Sequence, residues 1–505
     1  MNLRRIFNNR YYSAGILGLC AAVALGSYLL ASDGVFRIGY PLDDAWIHQT
    51  YARNLGETGS WAFIPGQISA GSTAPGWTLL LAIGYWVNLN AYFWTYLLGW
   101  AVLWLLSLTA TYGFRMLLPQ HADLGILAGL LVIFEWHLTW AAGSGMETLL
   151  SGLIALAVLL WMISLSDQSA HGINHLGWQW LGLGLLVGLS VWVRPDGITL
   201  LGVVGLTLIM TNVDLITKLR SGLILGAGFL LAAIPYLLFN LVLAGEIFPN
   251  TFYAKQAEYA ILRSFPLWDR FFNLIRQPLT GVGIVLLPGL FWFGTETLRK
   301  RKWAQAFSTL WILGYLILYA IRLPVTYQHG RYIMPVIPAF CLFGLVGMVL
   351  LVELLTEQNF GRIIKNAWII ITAVILLAFW ILGLRAYAMD VAVIESEMVD
   401  IAQWVEKNTE GESLVAAHDI GALGYYADRN LLDLAGLVSP EVIPFIRDET
   451  ALRNHIDKEG ANYLVTFPGW YPNLVQSAGL IYQTNGAFSP MMGGENMSVY
   501  DWMPP

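Results

Sequence analysis

Tyr40-Pro41-Leu42-Asp43-Asp44-Ala45-Trp46-Ile47-His48-Gln49-Thr50-Tyr51-Ala52-Arg53-Asn54-Leu55 follows closely on the first long apolar run of the chain, Ala14 to Ala31. After Pro41 the segment reads as a helix with Ile47, Tyr51 and Leu55 on one face. Asp43 at its start would cap it, and Asp44 would complement its dipole. Uncharged Ser or Asn would cap equally well, so paired carboxylates at the mouth of an apolar segment point to chemistry. Neighbours on a helix project about 100° apart, so the two carboxylates cannot do the same job. Asp44 and His48, four residues apart, are placed to meet.

The surrounding chain has lipid as its main solvent. Of 505 residues 57% are hydrophobic and only 12% charged, with a mean hydropathy of +0.60, against about 25% charged in soluble domains. The 22 Trp and 23 Tyr suit aromatic belts at membrane interfaces. Cys20 and Cys341 both fall in apolar runs and read as small buried hydrophobes. Arg4, Arg5 and Arg10 precede the Ala14–Ala31 run, which is too long for a cleaved signal and has no small-x-small site after it, so it reads as a retained anchor.

Runs long enough to span a bilayer lie at 13–31, 92–114, 122–142, 149–166, 178–193, 197–213, 221–243, 279–298, 303–322, 333–353 and 367–387. A shorter candidate, Ala74 to Val87, follows the helix-start sequence Thr73-Ala74-Pro75-Gly76. Charge asymmetry decides its status. If it does not span, Arg115, Lys218 with Arg220, Arg299-Lys300-Arg301-Lys302 and Arg362 with Lys365 all fall on the N-terminal side, as the positive-inside rule requires. The expectation is about eleven spans, an interfacial or re-entrant helix over 74–90, a cytoplasmic N-terminus and an extracytoplasmic C-terminus. Outside then lie 32–90, 143–148, the junction at 194–197, 244–278 and 323–332, and every unusual polar cluster falls in one of them.

From Ala388 onward 5 Lys and Arg face 17 Asp and Glu, while the whole chain carries −6. The tail is therefore a separate water-exposed unit. Ile394, Met398, Ile401 and Val405 mark an amphipathic helix. Leu414–Ala417, Leu431–Leu434 and Tyr463–Phe467 read as strands, with a helix-like stretch near Ala451–Ile456. The expected layout is a polytopic α-helical region, 1–387, followed by a small α/β domain, 388–505. Gly421 and Gly424 complete no dinucleotide fingerprint, and no basic stripe suggests nucleic acid.

The candidate chemistry gathers in the outer segments. Glu147 lies in the short turn Gly143-Ser144-Gly145-Met146-Glu147-Thr148. Glu135 and His137 precede it near the same end; an intramembrane Glu is costly and reads as functional by default, while pairing with His137 would make it structural. Lys255, in Pro249-Asn250-Thr251-Phe252-Tyr253-Ala254-Lys255, and Arg331, in His329-Gly330-Arg331-Tyr332, run against the positive-inside trend. Both would suit a phosphate, Arg by its fork and Lys as a point charge, although snorkelling at the interface is the plainer role. Arg53 and Arg194 are further cations, and Arg194-Pro195-Asp196 also reads as a turn with a local ion pair.

Taken in order, Asp43-Asp44-Ala45, Tyr51-Ala52-Arg53-Asn54-Leu55, Gly71-Ser72-Thr73-Ala74-Pro75, Ser144-Gly145-Met146-Glu147-Thr148, Pro249-Asn250-Thr251 with Ala254-Lys255, and Gly330-Arg331-Tyr332 resemble the GT-C superfamily of polyprenyl-phosphate-sugar-dependent glycosyltransferases. The subgroup most resembled is the mycobacterial-type terminal arabinofuranosyltransferases. The resemblance implies an acidic catalytic residue in the first outer loop, interfacial helices after it, a lipid-phosphate sugar donor and inverting transfer. By that analogy Asp43 is the base, Asp44 its partner and Glu147 a second acidic site residue. His48, Arg53, Asn250, Lys255, His329, Arg331 and Tyr332 form the substrate-binding set. The Trp-Trp-Asp motif of the oligosaccharyltransferase branch is not found.

The expected activity is transfer of a monosaccharide from a polyprenyl phosphate to an envelope glycan, lipid or protein acceptor on the outer face. No cofactor is required and no metal ligand is assigned, while adjacent carboxylates are compatible with a divalent cation. The rival reading is a transporter or flippase for lipid-linked or envelope precursors. Transporters place ionisable groups near the midplane on repeated, broken helices, and here the groups gather at one face with no repeat. A third reading, a non-catalytic scaffold, predicts no loss when Asp43 and Asp44 become Asn.

Overall fold

A computed structural model of the chain describes residues 10–170, 177–356 and 361–502. Arg4 and Arg5 of the basic N-terminal cluster lie outside them. Apolar composition drives the expected runs into helices: Arg10–Val35, Ala91–Leu117, Gly125–Phe134 with Trp136–Gly143, Thr148–Ala170, Gly177–Val193, Thr199–Met210, Leu215–Ala244, Gly283–Arg299, Trp303–Arg322, Ile337–Thr356 and Gly361–Ile394. Among the described residues seven helices are long and apolar enough to cross a membrane, or up to nine if each of two bent pairs forms one span. Gly177–Val193 and Pro195–Met210 are shorter apolar helices. The chain is a multi-pass membrane protein.

Lipid cannot drive apolar helices together, so close backbone approach must. Gly184 on Gly177–Val193 and Gly228 on Leu215–Ala244 supply it: an added methyl group would collide with the carbonyls of Leu225 and Leu181. One bent pair turns by 58° at Glu135. There the Glu135 side chain accepts from the Leu138 amide at 3.1 Å and meets His137 Nδ1 at 2.7 Å, so this intramembrane acid stabilises a helix break. The other bent pair, Leu267–Leu279 with Gly283–Arg299, turns by 107°.

Between the first two long helices run Asp43–Thr58, a short hairpin of β1 (Ala62–Ile64) and β2 (Gln67–Ile68), and Pro75–Trp86. Pro75 occupies the first turn of its helix, where a missing amide proton costs nothing. At about 18 Å, twelve residues are too short to cross the hydrocarbon core.

The helix Gly361–Ile394 continues through a widened turn, Glu395–Val399, into Asp400–Asn408. It leads to a five-stranded sheet of β3 (Leu414–Ala417), β4 (Asn430–Asp433), β5 (Tyr463–Thr466), β6 (Gly479–Gln483) and β7 (Ser498–Asp501), ordered β4-β3-β5-β7-β6. β3 runs parallel to β4 and β5; β7 runs antiparallel to β5 and β6. Ile394, Met398, Ile401 and Val405 are buried as their spacing predicts, and Glu449–Glu459 is the helix between β4 and β5. The expected class, a polytopic helical region followed by a small C-terminal α/β domain, is the one observed. Arg37 Nε to Glu395 at 2.6 Å, and His329 and Trp140 to Asp390 at 2.7 and 2.8 Å, fasten the long last membrane helix to the outer loops.

Candidate active site

A cavity of about 320 Å³ receives residues from each segment placed outside by sequence: Asp44 and His48, Glu147, Arg194 and Asp196, Thr251 and Lys255, and Arg331 with Tyr332. Leu437 of the C-terminal domain closes one side, and Phe248, Phe252, Leu318 and Leu323 give the walls an apolar stretch. Glu147 and Arg331, 184 positions apart in the chain, thus share one chamber.

The helix beginning at Asp43 is capped by Leu42, with no side-chain bond to its free amides. Asp43 therefore does not cap. Its two carboxylate oxygens accept from the amides of Gly421 and Ala422 at 2.7 and 2.8 Å, on the far side of the chain. Only glycine fits at 421, because a methyl group would strike the Asp43 carbonyl. Burial and then the Asp419 carboxyl push Asp43 up from the ordinary range, against those amide donors. Asp43 does not line the cavity.

Asp44, rotated to the other side, does. It pairs with Arg331, whose guanidinium lies 5.0 Å from the Tyr332 ring and bonds its hydroxyl at 3.2 Å. Burial would raise the Asp44 carboxyl, but Arg331 and Lys255 outweigh it and hold it well below the usual range. Arg331 Nη1 is buried and finds no hydrogen-bond partner among the described residues. A donor left unsatisfied at such cost is available for an acceptor that enters later.

His48 is fixed by Thr78 Oγ1 at 3.0 Å and Ser72 Oγ at 3.3 Å on Nδ1, leaving Nε2 3.6 Å from Glu147 Oε2. Burial first, and Arg331 second, lower it against the pull of Glu147 and Asp44. Gly145, at φ 74°, makes the tight turn that presents Glu147, and Trp77 Nε1 holds its carbonyl at 2.8 Å. Glu147 Oε1 stands 3.5 Å from Arg194 Nη1, and Oε2 has no hydrogen-bond partner. The expected local ion pair is present, with Arg194 Nη2 3.1 Å from Asp196 Oδ2. The hydroxyl of Tyr315 also donates to Asp196 at 2.5 Å, and that of Tyr319 joins it.

Lys255 bonds Glu258 at 3.2 Å, and Glu258 in turn meets His418 Nε2 at 3.4 Å. Burial opposes all three charges and loses. Lys255 is raised by Glu258 and Asp44; Glu258 is lowered to about 2 by His418 and Lys255; His418 is raised by Glu258 and Asp419. Opposite charges thus run in a line from the cavity to the C-terminal domain.

Three residues of the sequence-derived substrate set do other work. Arg53 bonds the carbonyls of Tyr425 and Gly424 at 2.7 and 3.3 Å. His329, held by Asp390, sits edge-on between Trp136 and Trp140. Asn250 is buried outside the cavity, and its backbone N–H donates to the Ala70 carbonyl at 3.2 Å. Sequence reasoning passed over Asp196, Tyr319, Arg322 and the Glu258–His418 pair. Of these only Asp196, beside Arg194, and Arg322, at an outer span end, carried a local signal. Among the described residues no group of three or more His, Cys, Asp or Glu side chains is placed to hold a metal ion.

A family model described as a domain of unknown function, DUF8728, matches residues 387–500. No curated protein matches the chain significantly. Among solved structures, ArnT from Cupriavidus metallidurans bound to undecaprenyl phosphate aligns with 96% of this chain and 98% of its own, at a TM-score of 0.59 and 16% identity. Its apo state aligns at 0.61 and 16% identity, covering 96% and 97%. The Archaeoglobus fulgidus oligosaccharyltransferase in complex with Zn and sulfate aligns at 0.56 and 11% identity, covering 94% of this chain and 72% of its own. At these identities the likeness is one of fold.

Proposed function

We propose that this chain is an inverting membrane glycosyltransferase that moves a monosaccharide from a polyprenyl phosphate to an envelope glycan, lipid or protein acceptor on the outer face. The observation that carries the reading is the convergence of Asp44 and Glu147 with Arg331, Lys255 and Arg194 in one part-apolar cavity. ArnT, which shares the fold, has been solved with undecaprenyl phosphate bound, and that supports a polyprenyl carrier. The narrower likeness to terminal arabinofuranosyltransferases rests on the ordered motifs alone.

In the proposed reaction an acceptor hydroxyl attacks the anomeric carbon from the face opposite the phosphate. The new C–O bond forms as the bond to the phosphate oxygen breaks, and the phosphate leaves with the electron pair. The acceptor proton passes to a carboxylate. Asp44 suits this part better than Asp43, because it faces the cavity while both Asp43 oxygens are occupied by amides. An ion-paired carboxylate is a weak base. Arg331 resolves this: once its fork turns to the donor phosphate, Asp44 loses its partner and gains basicity. Lys255 and Arg194 add positive charge where the leaving phosphate develops negative charge. Glu147 orients Arg194 and His48. The reaction needs no cofactor, and its carboxylates remain compatible with a divalent cation.

The test is product analysis with purified protein, polyprenyl-phosphate sugars and glycan acceptors. Transfer that stops in Asp44→Asn supports the reading; wild-type protein that inserts and folds but transfers no sugar from any such donor overturns it.

A further inference from the structure

A second cavity, of about 510 Å³, opens where Glu258 ends the Asn250–Glu258 helix and meets the C-terminal domain. Its domain side is formed by His418, just after β3, and by Trp470 and Tyr471, just after β5. These strands are parallel neighbours whose onward connections diverge, since β3 leads to β4 on one side and β5 leads toward β6 and β7 on the other. Crevices beyond the carboxyl ends of strands at such a switch are where open α/β sheets take ligands.

The lining has a definite chemistry. Trp470 stands edge-on to His418 at 5.0 Å and keeps 50% of its surface exposed, unusual for a side chain so costly to leave wet. Tyr471 fixes His418 by a 2.8 Å bond to Nδ1. Arg447 holds the Glu258 carbonyl through Nε, at 2.9 Å, and Nη2. An anion would face Glu258 and Glu449, and a cation would face Arg447 and His418. A neutral ligand with an apolar C–H face for the indole and hydroxyls for the mixed-sign rim satisfies every wall, and that is the chemistry of a sugar ring.

We propose that this crevice binds a neutral saccharide, the acceptor glycan, stacked on Trp470. The assignment as acceptor rests on the transferase reading above; the saccharide site itself does not. Glu258 bonds His418 on this side and Lys255 on the other, so the acceptor would be anchored one ion-pair relay from the reaction cavity.

The experiment uses the full chain in nanodiscs, titrated with neutral trisaccharides of glucose, mannose, galactose and arabinose by calorimetry and saturation-transfer NMR. At least one trisaccharide should bind. Trp470→Ala should weaken it about tenfold, and Trp470→Phe, which keeps a ring, by about threefold or less. Asp44→Asn should leave this binding unchanged. Unchanged melting of both Trp470 variants shows that the fold is intact. No binding in the panel, or equal affinity in wild type and Trp470→Ala, overturns the site. Sugar transfer whose acceptor KM is untouched by Trp470→Ala overturns the acceptor role while sparing the enzyme. Trp470-dependent binding without any transfer sustains the saccharide site and removes the acceptor role.

Discussion

Asp43 and Asp44 are chemically identical, adjacent, and in the same first helical turn, yet they belong to different regions of the molecule. Asp43 is locked against the C-terminal domain by two amides from residues 378 and 379 positions away. Asp44 looks into the cavity and pairs with Arg331. Position along a helix, a rotation of about 100° per residue, is enough to divide fastening from chemistry. What separates the two carboxylates is what faces them: neutral peptide dipoles hold one, and the cations Arg331 and Lys255 face the other.

The sharpest way to break this contrast is the paired substitution. Asp44→Asn is expected to cut the transfer rate by about 10²–10⁴-fold, the usual worth of a positioned base. Asp43→Asn should cost less than about tenfold, since its amide still reaches one donor. Equal losses in single-turnover assays would erase the division. Arg331 sharpens it next. Arg331→Lys keeps the charge but not the fork, and should raise the donor KM by about tenfold, with Arg331→Ala worse; a donor KM that does not move would detach Arg331 from the phosphate.

On the fastening side, Gly421→Ala and Asp43→Asn should each lower stability by about 1–3 kcal/mol through loss of the buried amide bonds. Thermal unfolding in nanodiscs reads this, and wild-type melting in both would sink the clamp. The smallest effect is a pH dependence at the domain contact. His418 is raised above its ordinary value by Glu258 and Asp419 despite burial. A group raised on folding stabilises fully below its unfolded value, about 6.5, and loses that contribution as pH climbs through the folded value. The melting difference between wild type and His418→Gln, worth about 1 kcal/mol, should therefore be largest in mild acid and shrink in mild alkali. A difference that grows with pH would reverse the assignment.

Much of this was legible in the sequence because bilayer physics acts on composition. Long apolar runs became the helices, Pro75 opened the short helix, Arg331 and Lys255 stood out by running against the positive-inside expectation, and Glu147 by its place in a short turn between two apolar runs. The partner of Asp43 was not legible, since nothing near Gly421 signals a carboxylate from the other end of the chain. The partners of Arg53 and His329 were not legible either: a polar residue reads alike in sequence whether it faces a substrate, a backbone carbonyl as Arg53 does, or a carboxylate as His329 does. β6 and β7 escaped notice because β6 is largely exposed and shows no apolar alternation, while β7, Ser498–Asp501, has only Val499 and Tyr500 as apolar residues between polar ends.

The clamp at Gly421 has a practical corollary for anyone wishing to excise the region matched as a domain of unknown function. Cut free at its matched limits, that piece would surrender Asp43, Arg53 and Glu258, ligands to its own backbone and side chains that are all encoded upstream. Its isolated behaviour would then report on a torn surface, so truncation studies are best replaced by point changes in the intact protein.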